Sequence, residues 1–365
     1  MQLFALLMTF ALFAAACGDD DSATEPADEP ADEPADEPAD EPADEPADEP
    51  VDFGDSVTLN FGHPFPAGHP IQAGALEAYA ADVSAATDGT VTIEFFAGGA
   101  LGPPPSPYEN TVSGAQDMGW SLQGYTPGRF PVTDVIEMPF TFTSATQATD
   151  VLWTLYDEFP EFQAEYADTK LLGMWVHDMG DLWVASGTIE TMEDIEGLTL
   201  RAPSPVQNAV ITALGGNPVG LPAPELFDSL ERGVIDGLFI AQSGLSSFNL
   251  YEVLEGGAQC NCYVAAQFLV MNLDQWNGLS AATQAAIDEL SGRTLSLKAA
   301  DVYDGAYAAA ADRVAESGID KTVLDDAELA RWSEATQSVI DDWIAASAGS
   351  FPGQDMYDRM IELAG

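Results

Sequence analysis

The sequence predicts an α/β fold of two lobes, with mixed sheets flanked by helices and long C-terminal helices. Three observations carry that prediction. Strand-like Val57–Phe61 and Thr90–Phe96 bracket a segment where Leu76, Tyr79, Ala80 and Val83 recur at helical spacing, the opening of a parallel α/β layer. The same alternation of short strands and helical segments then runs to the C-terminal third. Finally, roughly 300 residues follow Val57, enough for two lobes and large for one core.

The elements follow in order. The first strand runs into Gly62–Pro70, whose three prolines forbid a helix, and Gly89 closes the first helical segment. Met118–Ser121 and Val132–Met138 read as strands around the turn-rich Gln123–Pro131, and Thr149–Phe159 reads as helix. Lys170–His177, Leu182–Ser186, Leu198–Arg201, Val234–Ile240 and Gln267–Asn272 complete the strands. Ser280 is placed to cap one long helix through Ala315, and Leu329–Ala346 forms another. Ligands of open α/β sheets bind beyond the carboxyl ends of strands. Loops 62–70, 121–131, 177–181, 201–206 and 239–244 are therefore the candidate site.

The first fifty residues belong to no core. Residues 1–17 are an apolar run, shorter than the about 20 residues a spanning helix needs, that ends in small residues before Cys17. This predicts a lipoprotein signal peptide, with Cys17 lipidated and the protein extracytoplasmic, anchored in the membrane by that lipid. No Lys or Arg precedes the run; a start upstream of Met1 would supply one. Residues 18–55 carry the repeat Glu-Pro-Ala-Asp. Proline at every fourth position and unbroken negative charge predict an extended tether, with a reach of roughly 100 Å at about 3.1 Å per residue.

Charge excludes one class of partner. Of 61 acidic residues 18 lie between 19 and 55, leaving 43 against 10 basic ones in the rest, a surface that repels nucleic acid. Cys260 and Cys262 flank a single residue, which favours free, partly buried thiols over a disulfide and makes a poor zinc site. No metal or cofactor is predicted.

Arg201 is the most informative residue. It ends a predicted strand; Ser204 is a good N-cap, Pro205 a good first helical residue, and Gly215-Gly216 stops the helix. A guanidinium near a helix N-terminus at a strand end favours an anion, by bidentate pairing and by free N–H groups. A structural ion pair with a nearby carboxylate is the plainer alternative.

Here the chain also resembles a family. Asp194-Ile-Glu-Gly-Leu-Thr-Leu-Arg201-Ala-Pro, Ala213-Leu-Gly-Gly-Asn-Pro218, and Pro224-Glu225 through Asp236-Gly237 are similar to the core of the DctP-type substrate-binding proteins of TRAP transporters. Gly62-His-Pro, Gly99-Ala-Leu-Gly102, Ala115–Gly119 and Gly128-Arg-Phe-Pro131 match that family's first-lobe blocks in the same order. The resemblance spans about 57 to 345. It implies a two-lobed, hinge-closing, type II-like periplasmic-binding-protein fold, with 56–178 and 264–303 as lobe I and 179–263 and 304–365 as lobe II. It also implies an ion-gradient-driven uptake system with integral membrane subunits, and a small organic acid whose carboxylate Arg201 grips. After Asp236-Gly237 many members carry Gln-Glu-Asn-Pro; here Leu238-Phe239-Ile240-Ala241 stands, followed by Gln242 and Ser243. A carboxylate with an apolar or aromatic-contacting remainder is expected.

The remaining candidates for ligand contact are Trp120, Ser121, Tyr125, Trp183, Ser204, Phe239 and Gln242. Trp175 reads as core, Arg129 as a loop ion pair that can also reach the cleft, and His177-Asp178 as a satisfied strand end without a third metal ligand. An enzyme is disfavoured: neither Gly-x-Ser-x-Gly nor a Gly-x-Gly-x-x-Gly after the first strand occurs, and there are only three histidines. An ATP-linked uptake receptor or a sensor ectodomain of similar shape are the alternative functions.

Overall fold

The computed structural model describes residues 51–365, which form one compact unit. The predicted signal peptide, Cys17 and the tether up to residue 50 lie outside the described residues. The strands are β1 (Val57–Gly62), β2 (Val91–Phe96), β3 (Met118–Leu122), β4 (Thr169–Val176), β5 (Gly180–Val184), β6 (Thr199–Ala202), β7 (Asn217–Gly220), β8 (Gly237–Ala241), β9 (Gly256–Tyr263), β10 (Ala266–Asn272) and β11 (Asp320–Val323). They build two mixed sheets, ordered β2-β1-β3-β10-β4 and β11-β9-β5-β8-β6-β7, which define the two lobes.

Alternation sets the first sheet's faces: in β1, Leu59 and Phe61 are buried while Thr58 and Asn60 face solvent. Parallel β1, β2 and β3 require helical crossovers, and antiparallel β10 closes onto β3 and β4. The chain passes directly from sheet to sheet at His177–Met179 and at Val264–Ala265, and the His177 amide donates to the Ala265 carbonyl at 3.4 Å. The helix Gly292–Ser317 runs past both lobes, about 39 Å at 1.5 Å per residue over its 26 residues. Near its start Ser296 accepts the Met174 amide of β4 at 3.0 Å, and near its end Val314 packs with Trp183 and Leu238 under the second sheet.

Several expectations need correction. Val132–Met138 is not a strand but a 3₁₀ segment, Thr133–Glu137: apolar residues interrupted by Thr133, Asp134 and Glu137 between Pro131 and Pro139 satisfy either reading, and prolines favour the turn. Ser280 does cap a helix, accepting the Thr283 amide at 3.1 Å, but the helix stops at Leu290. Gly292, the first residue of the next helix, takes φ +67° and turns the chain there. β7, β9 and β11 escaped the sequence reading; β9 opens with Gly256-Gly257, where a Cβ on Gly257 would lie 2.7 Å from the Leu182 carbonyl.

The cysteines are also corrected. Cys260 and Cys262 are joined in a disulfide, their Cα atoms 5.0 Å apart. Asn261 between them takes a left-handed φ of 47°, which kinks the strand and draws its neighbours within bridging distance. The predicted boundary puts 304–365 wholly in lobe II, yet the last helix, Gly353–Ala364, packs on the first lobe. Met356 and Met360 are buried beside Val151 and Met174, and Arg359 pairs with Glu158 at 2.7 Å. Among the described residues no helix is long and apolar enough to cross a membrane.

Candidate ligand-binding site

Arg201 lies in β6, between β8 and the edge strand β7, so its side chain starts from an interior strand one in from the edge of the second sheet. Ser204 and Pro205 begin the next helix as predicted: the Ser204 hydroxyl oxygen accepts the Gln207 amide at 3.2 Å. Arg201 is 1 % exposed. Its Nε donates to the Leu221 carbonyl at 2.7 Å, Nη1 to the Phe239 carbonyl at 2.9 Å, and Nη2 to the Tyr125 hydroxyl at 3.3 Å. All three acceptors are neutral. Among the described residues no carboxylate pairs with Arg201, so the plainer ion-pair alternative fails. Five N–H groups serve three acceptors, which leaves two donors and a buried positive charge without an anion.

Tyr125 reaches this charge from the first lobe, out of the 3₁₀ turn Gln123–Tyr125 that follows β3. Its hydroxyl oxygen accepts both Arg201 Nη2 and the Ala223 amide, the latter at 2.7 Å, so its own proton is free to donate. Arg201 and Tyr125 line a narrow cavity of about 40 Å³ between the lobes, walled by Phe65, Phe248, Tyr263 and Tyr303.

Two histidines join the lining. His69 Nδ1 accepts the Ile71 amide at 3.3 Å, and burial pushes its pKa down to about 3, so the neutral ring carries its proton on Nε2. His177, at the crossing between lobes, stands 2.6 Å through Nδ1 from the Asp178 carbonyl. Asp178 in turn accepts the Ser243 amide at 2.9 Å and the Ser243 hydroxyl, and burial pushes its carboxyl up to about 7. Among the described residues no group of three His, Cys, Asp or Glu side chains is arranged to hold a metal.

Of the predicted contacts, the structure brings Arg201 and Tyr125 to the cavity. Trp120 stands behind its wall, 4.4 Å between ring centroids from Phe65 and 5.3 Å from His69. Ser121 bonds the Pro104 carbonyl at 3.1 Å, and Trp183 is core beneath the second sheet. Phe239 offers Arg201 its carbonyl while its ring is buried in the core. Gln242 accepts Lys321 Nζ at 3.2 Å, and Ser204 donates to Glu137 across the lobe junction. Arg129 pairs with Asp168 at 2.6 Å rather than reaching the cavity. His69 and Phe65 went unnamed although their loop was singled out. Tyr303, inside a long helix, left no signal to find.

Comparison with known proteins identifies the family. Residues 61–346 match the family described as bacterial extracellular solute-binding protein, family 7 (DctP). A solute-binding protein of Chromohalobacter salexigens is 26% identical over 257 residues, 69% of this chain and 75% of its own. A marine metagenome TRAP solute-binding protein from an unidentified microbe, specific for aromatic acid ligands and crystallised with metahydroxyphenylacetate, superposes with a TM-score of 0.81 at 26% identity, over 85% of this chain and 98% of its own. A TRAP periplasmic solute-binding protein of Bordetella bronchiseptica with bound (R)- and (S)-mandelate gives a TM-score of 0.80 at 27% identity, over 84% and 98%. With the family matched across both lobes, the chain belongs to the DctP family, the extracellular solute-binding proteins of TRAP transporters.

Proposed function

We propose that this protein captures an aromatic carboxylate between its lobes and that the closed, loaded form is what the integral membrane subunits recognise. One observation carries the reading: Arg201 is a buried guanidinium bonded only to neutral oxygens, a charge that a ligand carboxylate would compensate with two spare N–H donors. The Tyr125 proton supplies a third donor beside it. The aromatic side chains around the cavity favour a flat apolar body, and relatives that hold metahydroxyphenylacetate and mandelate support that choice. Arg201 to Tyr125 and Ser204 to Glu137 are contacts that require the lobes together, so a ligand that bridges them shifts the hinge equilibrium towards closure.

Two finer points belong to the same reading. The lobes are taken as 56–178 with 264–303 and 179–263 with 304–365, save the last helix. Cys17 is taken as a lipid anchor on the extracytoplasmic side, which the small residues before it and the acidic tether behind it support. Mass analysis of the N-terminal peptide from a membrane fraction tests it; release of the protein by Cys17→Ser is the expected result.

A thermal-shift screen of residues 51–365 tests the ligand. Aromatic acids, dicarboxylates, 2-oxo acids and sugar acids run beside neutral sugars and amines, and each hit is repeated in Arg201→Ala. A ligand at 100 times its Kd stabilises by about 2.7 kcal/mol. Aromatic acids should score, and Arg201→Ala should weaken them at least roughly thirtyfold. Neutral hits, or acid hits indifferent to Arg201, would overturn the reading.

A further inference from the structure

Arg201 and Tyr125 account for a carboxylate, but one polar atom on a residue that lines the cavity is left over. His177 is buried and lines the cavity, its ring 4.7 Å from that of Tyr263. The Asp178 carbonyl that its Nδ1 meets can only accept, so the proton sits on Nδ1 and Nε2 is a bare acceptor. Nε2 is buried without a hydrogen-bond partner, and no other residue described as lining this cavity has a buried side-chain polar atom in that state.

None of the neighbouring donors, the Tyr263 and Tyr303 hydroxyls included, forms a hydrogen bond to it. Gln267 Nε2 donates to the Tyr303 hydroxyl at 2.8 Å, and the Ser243 hydroxyl donates to Asp178. A carboxylate held by Arg201 brings no proton, so it cannot satisfy an acceptor. Burial holds the ring near a pKa of about 4, which keeps the lone pair available at neutral pH.

Resting on the carboxylate reading above, we infer that His177 Nε2 accepts a hydrogen bond from a hydroxyl on the ligand's body, so that the substrates are hydroxy-substituted aromatic acids. The hydroxyl can be phenolic or α to the carboxylate. An unsubstituted acid binds but leaves a buried acceptor unsatisfied, and that difference sets the selectivity.

Isothermal titration with matched ligands tests this. The pairs are 3- and 4-hydroxybenzoate against 3- and 4-fluorobenzoate, and mandelate against phenylacetate, each on the unaltered protein, His177→Phe and His177→Gln. In the unaltered protein the hydroxyl partner of at least one pair binds at least about tenfold tighter, and the pair that does so identifies the hydroxyl's position. That ratio falls to about one in His177→Phe and partly returns in His177→Gln, whose amide oxygen again accepts. Ratios near one throughout the unaltered protein overturn the inference, as does a ratio that His177→Phe leaves intact. Proton uptake when phenylacetate binds, read from buffers of different ionisation enthalpy, also overturns it, since Nε2 would then be protonated against the carboxylate. These measurements on the unaltered protein decide the matter even if His177→Phe does not fold. No binding by any acid would overturn the carboxylate reading beneath it, and this inference with it.

Discussion

The Tyr125 hydroxyl of the first lobe accepts the Arg201 Nη2 of the second at 3.3 Å, and the Ala223 amide of the same second lobe at 2.7 Å. One oxygen therefore joins the lobes at the point where the proposed ligand charge would sit. Tyr125→Phe removes that acceptor, strands a buried amide, and deletes the donor offered to the ligand. Leaving buried polar groups unsatisfied costs about 1–3 kcal/mol each. Affinity for a bound aromatic acid should fall roughly ten- to hundredfold, as measured by titration calorimetry. Unchanged affinity would mean that the site closes without this contact.

Gln267 has a different task. Its Oε1 accepts two indole N–H groups, Trp120 at 2.7 Å and Trp175 at 3.2 Å, while its Nε2 orients Tyr303 at 2.8 Å. Gln267→Leu keeps the apolar volume and strands both indoles. The cost should be about 2–4 kcal/mol, seen as a lower urea midpoint with an unchanged slope. Equal midpoints for the two proteins would show that the indoles find other acceptors.

The same network shows where sequence reasoning stops. The loops at 62–70, 121–131, 177–181, 201–206 and 239–244 supply His69, Tyr125, His177, Arg201 and Ser243, because strand ends can be read from periodicity and loops follow from them. Arg201 was legible because its capping context and the scarcity of basic residues both mark it. Trp120, equally a candidate for the cleft or for the core, lies one layer behind the cavity, since strand alternation cannot tell a side chain lining a cavity from one supporting the wall. Tyr263 and Tyr303 reach the site from an unrecognised strand and from inside a helix. Their roles are set by how the lobes pack, which no local pattern encodes. The cysteine pairing was missed because it depends on the backbone angle of Asn261, not on spacing.

That pairing closes a very short loop. Chain-entropy stabilisation grows with loop length, reaching about 3 kcal/mol only near 15 residues. Replacing Cys260 and Cys262 together with serine should therefore cost no more than about 1–2 kcal/mol by chemical denaturation, and the protein should still fold under reducing conditions. A loss several times larger would assign the bridge a part in shaping β9 beyond closing its loop.

Buried acids should make this acidic protein more stable as the solution becomes mildly acidic. Burial pushes Asp134, Glu165 and Asp178 up to about 7, Glu137 up to about 8 and Asp181 up to about 6. In the unfolded chain these groups titrate near 4. Between those values the folded state holds more protons than the unfolded one, so stability falls as pH rises. The contribution is fully present below about 4 and is lost as pH passes through about 6 to 8. Glu193 works the other way, held down to about 2 by Arg331, but its effect lies below pH 4 and does not touch this window. Glu137 should dominate the upper end, since it is raised furthest and accepts the Ser204 hydroxyl across the lobe junction. At fixed high ionic strength, which screens surface repulsion, the urea midpoint should be higher at pH 5.5 than at pH 8.5. Glu137→Gln, neutral at every pH, should gain stability at pH 8.5 relative to the unaltered protein and little at pH 5.5. Equal midpoints at the two pH values, or a slope that Glu137→Gln leaves unchanged, would show that these carboxyls are hydrated in solution and titrate as exposed ones do.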